Sequence, residues 1–128
     1  MAAGGAQFLV VDDDELVANM VGIMLRDVGE VMVAESGEAA QAMLGDRDWD
    51  AILVDVELPG MGGLEFVEIA RAARPATGIV VLSSHGEDAY AEVARRASAD
   101  DYLIKPIGPA ELPPKVGELV ALTAARRG

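Results

Sequence analysis

Apolar residues in this chain fall into two alternating kinds of run. Residues 8–11, Phe-Leu-Val-Val, form a short unbroken run rich in β-branched and aromatic side chains, and 31–34, 51–54, 79–82 and 102–104 read the same way. Such runs are too short for helices and show no polar alternation. They predict strands covered on both faces, the habit of a parallel sheet. Between them the spacing becomes helical. Val17, Met20, Val21, Met24, Leu25 and Val28 recur on one helical face after the acidic start Asp13-Asp14-Glu15, and Gly29 reads as the stop. Ser36 caps a second helix carrying Ala39, Ala40, Met43 and Leu44. Leu64, Phe66, Val67, Ile69 and Ala70 mark a third helix that ends before Pro75. Residues 89–97 predict a fourth, and 118–125 belong to a fifth. Each proline of Pro113-Pro114 disfavours helical backbone in the residue before it, so the last helix is expected to begin near Pro113 or Pro114, or to kink.

The order is β-α repeated five times, without linker, low-complexity tract or internal repeat. It predicts one α/β domain over residues 7–126 behind a flexible tail of residues 1–6. The alternation predicts a doubly wound parallel sheet of five strands with five helices on its two faces, and the strand order expected is 2-1-3-4-5, one of the two common in such sheets.

Candidate chemistry appears where the strands end. The first ends in Asp12-Asp13-Asp14, the third in Asp55, the fourth in Ser83-Ser84 and the fifth in Lys105-Pro106. Ligand crevices of open α/β sheets lie at the carboxyl ends of the strands, where the strand order reverses. Asp12, Asp13 and Asp55 should therefore converge, with Ser83 and Lys105 approaching from one side. Taken singly, each has a plain structural reading: a helix cap (favoured for Asp14), a turn residue, a surface charge. Jointly, those readings require four strand ends to collect such groups by accident. Clustered carboxylates raise one another's pKa or recruit a cation. An oxygen-only set without His or Cys suits Mg²⁺ or Mn²⁺. A carboxylate nucleophile, a divalent metal, an ammonium and a hydroxyl are the parts that phosphoryl transfer needs.

Composition narrows the classes. The chain has 128 residues, no cysteine, and 10 Lys+Arg against 22 Asp+Glu, a formal charge of −12. Disulfides, thiolate metal sites and cysteine nucleophiles are excluded. Such acidity repels phosphate backbones, so direct nucleic-acid binding is not expected, whereas cations and basic partner surfaces are. The first residues, Met-Ala-Ala-Gly-Gly-Ala-Gln, lack the pattern of a secretory signal, and no apolar run approaches the roughly 20 residues of a membrane span. A cytoplasmic location, away from membranes, is expected.

Four segments together resemble the receiver domain of bacterial two-component response regulators, a flavodoxin-like fold: Leu9-Val-Val-Asp-Asp13, Leu53-Val-Asp-Val-Glu-Leu-Pro-Gly-Met61 with Gly63, Val81-Leu-Ser-Ser84, and Ala99-Asp-Asp-Tyr-Leu-Ile-Lys-Pro106. The resemblance runs from about Phe8 to Val120. It implies Asp55 as phospho-acceptor, Asp13 as a direct Mg²⁺ ligand, Asp12 mainly through water, and the backbone carbonyl of Glu57 as a further ligand. Lys105 would pair with Asp55 and then with the phosphoryl group. Ser83 and Tyr102 would occupy the switch positions, and Pro106 would follow a cis peptide bond. The implied activity is that of a signalling switch which assists its own aspartyl phosphorylation and dephosphorylation, not of a turnover enzyme. The implied partners are a histidine kinase or phosphotransfer protein, and a downstream target or fused output domain.

Some positions depart from that pattern. Gly62 replaces a frequent acidic residue, and Ser98 stands where glycine is common, so the fourth helix is expected to end differently. The Pro113-Pro114 pair, in a helix that often forms a dimer face, favours a monomer or weak dimer. Glu57 and His85, each two positions beyond a site residue, flank the path of a hydrolytic water in this family and are candidates for setting phosphoryl lifetime. Three other readings compete. A haloacid-dehalogenase-type phosphatase would carry its nucleophile at the first strand in an Asp-x-Asp-x-Thr/Val pattern, which Asp12-Asp-Asp-Glu-Leu16 lacks. A phosphorylation-free interaction module has no need of the complete Asp12, Asp13, Asp55, Ser83 and Lys105 set. A flavin carrier would have a Ser/Thr/Gly-rich phosphate loop after the first strand, where carboxylates stand instead.

Overall fold

Unbroken apolar strands need cover on both faces, and the chain alternates the side chains of each strand between two cores. The structure, a computed structural model, describes residues 5–84 and 88–128. In chain order the elements are β1 Ala6–Val11, α1 Glu15–Leu25, β2 Gly29–Ala34, α2 Gly37–Met43, β3 Ala51–Asp55, α3 Gly63–Ala73, β4 Gly78–Ser83, α4 Asp88–Arg96, β5 Asp101–Ile104 and α5 Leu112–Arg127. The five strands form one sheet in the order β2-β1-β3-β4-β5, and every pairing is parallel. This is the architecture read from the sequence.

Leu9, Val11, Ile52, Val54, Ile79 and Val81 point to one face, where they pack with Ala40 of α2, Phe66, Val67 and Ala70 of α3, and Ala94 of α4. Phe8, Val10, Leu53, Val80 and Leu82 point to the other, against Val21 and Leu25 of α1 and Leu112, Val116 and Leu119 of α5. In the central strands β1, β3 and β4, odd and even positions of one run thus enter different cores. The edge strands β2 and β5, also expected to be covered on both faces, leave Val33 and Ile104 exposed because no further strand or helix flanks them fully.

Local signals end the elements. The Asp14 carboxylate accepts the N–H groups of Leu16 and Val17 at 2.9 and 3.4 Å and caps α1. Ser36 Oγ accepts from Ala39 N at 3.0 Å and caps α2. Pro113 and Pro114 lie in the first turn of α5, where a missing N–H forfeits no helical bond. That helix starts at Leu112, close to the expected position.

Several expectations are corrected. Gly29 does not stop α1, which ends at Leu25; it opens β2 opposite Ala6. Ala6 is therefore paired in β1 and is not part of a loose tail. Met20, placed on the inward face of α1, is 45% exposed, and Ala18 is buried there instead. The end of α4 keeps the geometry that glycine favours even with serine in place. Ser98 has φ +73°, and the bonds Ser98 N→Arg95 O (2.9 Å) and Ala99 N→Ala94 O (3.0 Å) complete a Schellman cap. His85 lies outside the described residues.

Candidate functional site

The parallel register delivers the polar residues to one rim. Asp55 is the last residue of β3 and pairs with Leu82, while Ser83, the last of β4, pairs with Ile104. Beyond the strands the ladder continues through Val56 N→Leu82 O at 2.9 Å and Lys105 N→Ser83 O at 2.7 Å. Asp12 extends β1, its N–H donating to Ala34 O at 3.0 Å. Asp12, Asp55 and Ser83 are buried, and Asp13 is exposed at the rim. One carboxylate oxygen from each of Asp12, Asp13 and Asp55 lies within 4.8 Å of the others.

Each buried carboxylate is held by a backbone N–H and by one shared lysine. Asp12 Oδ1 accepts from Asp14 N at 2.9 Å, and Asp55 Oδ1 accepts from Glu57 N at 3.0 Å. Lys105 Nζ lies 3.1 Å from Asp12 Oδ2 and 3.4 Å from Asp55 Oδ2. Expected to pair with Asp55, the ammonium bridges both acids and sits closer to Asp12. The Lys105-Pro106 peptide is cis, as expected. Tyr102 is half-buried and packs against the core under α2, α3 and α4.

The electrostatics follow from this arrangement. Burial pushes the Asp55 carboxyl above the usual carboxylate range; the Asp12 charge adds to the rise, while the Glu57 N–H and Lys105 oppose it. Burial alone would lower the Lys105 pKa, but its bond to Asp12 and the charges of Asp12 and Asp55 outweigh that and hold it above the ordinary lysine value. A buried acid with a raised pKa beside a second acid is an incompletely neutralised centre. Its donors are all carboxylate oxygens, with neither His nor Cys among them, which fits a hard divalent cation and no softer metal.

Gly63 makes the turn after Asp55 possible. A Cβ there would come within 2.2 Å of Asp55 O and 2.7 Å of Val56 Cα, so α3 starts directly over the backbone of the site. The sequence placed the carboxylates, Ser83 and Lys105 at strand ends that the register brings to this rim, whereas Tyr102, a switch position by resemblance alone, lies on β5 against the core. Sequence reasoning missed Glu38 of α2, whose Oε2 accepts Met61 N at 3.2 Å and touches the loop after Asp55. An acidic residue just after a helix cap carries no signal of such a tertiary bond.

Comparisons with known proteins agree with this geometry. The family model described as "Response regulator receiver domain" matches residues 8–116. A response regulator receiver protein of Anaeromyxobacter sp. (strain Fw109-5) is 37% identical over 102 residues, covering 79% of this chain and 43% of that protein. The DNA-binding response regulator MtrA of Mycobacterium tuberculosis (strain H37Rv) is 36% identical over 112 residues, covering 86% of this chain and 48% of MtrA. This chain thus spans about half the length of these curated relatives. Among solved structures, a CheY-like receiver domain protein from Methanospirillum hungatei JF-1 superposes with a TM-score of 0.88 at 26% identity, over 96% of this chain and 98% of that one. The chain belongs to the response regulator receiver domain family of two-component systems.

Proposed function

We propose that Asp55 accepts a phosphoryl group from the phosphohistidine of a histidine kinase or phosphotransfer protein, assisted by Mg²⁺ (or Mn²⁺), and that the product changes partner binding. The observation that carries this reading is the buried Asp55 carboxylate within reach of both a lysine and two further acids. In the transfer, an Asp55 oxygen attacks phosphorus, the phosphorus–nitrogen bond of the donor breaks, and an acyl phosphate forms on Asp55 as the imidazole leaves. Asp13, Asp55 and the Glu57 carbonyl would hold the metal, with Asp12 acting mainly through water. When bound, the cation neutralises charge on the phosphoryl oxygens. Lys105, already charged and placed between Asp12 and Asp55, supplies an ammonium that can pair with a phosphoryl oxygen. The Glu57 N–H bond orients the nucleophile.

Switching in this reading is a population shift. A phosphoryl oxygen on Asp55 offers Ser83, at the end of the adjacent strand, a better partner in one loop arrangement than in another, and Tyr102 of β5 turns inward with it. Asp55 is a stoichiometric acceptor whose acyl phosphate is later lost to water with the help of the same site, so the chain acts as a switch and not as a turnover enzyme. We place it in the cytoplasm, as a monomer or weak dimer, coupled to a downstream protein or a fused output domain. Its net charge of −12 makes the chain itself a poor ligand for nucleic acid. No helix among the described residues is long and apolar enough to cross a membrane.

Incubation with acetyl phosphate and Mg²⁺, followed by intact-mass measurement, tests the reading. The wild type should gain one phosphoryl group only with Mg²⁺, and Asp55→Asn should gain none. A wild-type mass that stays unchanged would refute it.

A further inference from the structure

The segment between Asp55 and α3 is a short loop held at its base and near its apex. At its base, Gly63 N donates to Val56 O at 3.2 Å and Glu57 N donates to Asp55 Oδ1 at 3.0 Å. Near its apex it is held by α2. Met61 N donates to Glu38 Oε2 at 3.2 Å. The same carboxylate fills the space beside Gly60, which has φ +69° and where an added Cβ would lie 2.8 Å from Glu38 Oε2. The Met61 side chain lies flat on α2: a Cβ at Gly37 would meet Met61 Sδ at 3.0 Å and its Cβ at 3.2 Å. Ser36 in turn fixes the first turn of α2 by capping Ala39 N. One polar and one apolar contact therefore tie the loop apex to a helix that contributes no other residue to the site described above.

We propose that Glu38 is a positioning residue for the metal centre: by holding Met61 N–H, it limits the peptide orientations between Glu57 and Met61 and so presents the Glu57 carbonyl toward the Asp12, Asp13 and Asp55 cluster. A loop this short, pinned at its base and near its apex, has few conformations; freeing the apex restores backbone freedom at several residues. The cation then binds only the fraction of molecules with the carbonyl correctly turned, and its apparent affinity falls by that fraction. The inference rests on the metal-binding reading given under Proposed function.

Calorimetric titration of the full chain with MgCl₂ tests it, alongside amide hydrogen exchange at Met61 without metal. Glu38→Ala should raise the Mg²⁺ Kd about tenfold, the lower end of the loss seen when support for a metal ligand is removed. It should also speed exchange at Met61. Glu38→Gln keeps an oxygen that can accept the Met61 N–H and should stay close to the wild type in both measurements. Equal Mg²⁺ affinity for wild type and Glu38→Ala overturns the inference while leaving the metal centre in place. So does a Glu38→Gln variant as weak as Glu38→Ala, which would mark a through-space charge effect and not positioning. Absence of Mg²⁺ binding by the wild type brings down the metal-binding reading itself, and this inference with it.

Discussion

Asp55 is nearly inaccessible, yet it faces a second buried acid across a single ammonium. Removal from water destabilises its ionised form, and its pKa is raised in the folded state. A carboxyl with a raised folded pKa binds its proton more tightly when folded. Its favourable contribution to stability is therefore present at low pH and is lost as pH rises through the raised value. At neutral pH without divalent cation, the ionised group weighs against folding. Asp55→Asn removes that charge, while Lys105 keeps Asp12 at 3.1 Å. The expected gain is about 1 kcal/mol at pH 7, a few degrees in Tm, shrinking towards zero as pH falls below the ordinary carboxylate range. Thermal melts of both proteins in EDTA from pH 3 to 8 check this. A variant less stable than wild type at pH 7 would contradict it.

Among the elements, the end of α4 shows how backbone geometry can outweigh residue preference. Ser98 takes a left-handed conformation so that Ser98 N and Ala99 N can close the helix, and its carbonyl then accepts Arg71 Nε at 3.1 Å and Nη2 at 3.0 Å from α3. These contacts are made by backbone atoms, so they survive a change of side chain. A non-glycine residue in this region carries a steric cost of roughly 1–2 kcal/mol, partly offset by the larger entropy that glycine loses on folding. Ser98→Gly should thus stabilise the domain by about 1 kcal/mol. Urea unfolding should show a higher midpoint with an unchanged slope. An unchanged or lower midpoint would mean that the serine cap is not strained.

For the molecule as a whole, Asp100 ties together elements that lie far apart in the chain. Its carboxylate accepts Arg71 Nη2 of α3 at 2.8 Å, Ile79 N of β4 at 2.9 Å and Arg126 Nη2 of α5 at 2.6 Å. Burial would raise its pKa, but the bonds from Arg126, Ile79 and Arg71 outweigh burial and hold it below the usual range. A lowered folded pKa gives stability that is complete above the ordinary carboxylate range and is lost as pH falls through the folded value. Asp100→Asn leaves two guanidinium groups short of a counter-charge. It should cost roughly 2–3 kcal/mol at pH 7 and progressively less in acid, readable from urea midpoints at pH 7 and pH 3. A constant difference across that range would show that charge is not the cause. At the same end of the sheet, where the strands begin, buried Thr123 of α5 accepts Gly78 N at 2.7 Å and lies 2.7 Å from Asp50 O, joining α5 to the start of β4 and the residue before β3.

Much of this was determined by the sequence itself, because local rules suffice for it. Unbroken apolar runs specify the strands, although only the central β1, β3 and β4 are buried on both faces; β-α alternation specifies parallel pairing, and polar residues at the strand ends must then meet at one rim. Asp12, Asp13, Asp55, Ser83 and Lys105 were legible for that reason. Tertiary structure decided what depends on distance and not on order. Lys105 shares its ammonium between Asp12 and Asp55, since the rim brings both within reach and the nearer oxygen belongs to Asp12. Met20 faces solvent because α1 turns Ala18, Val21 and Leu25 towards the sheet, a rotation that a run of apolar residues on both sides of the helix leaves undetermined. Glu38 grips the loop after Asp55 from a helix that begins eighteen residues before it (Gly37 to Asp55). No periodicity encodes such a contact; it exists only once α2 and α3 pack side by side on the same face of the sheet.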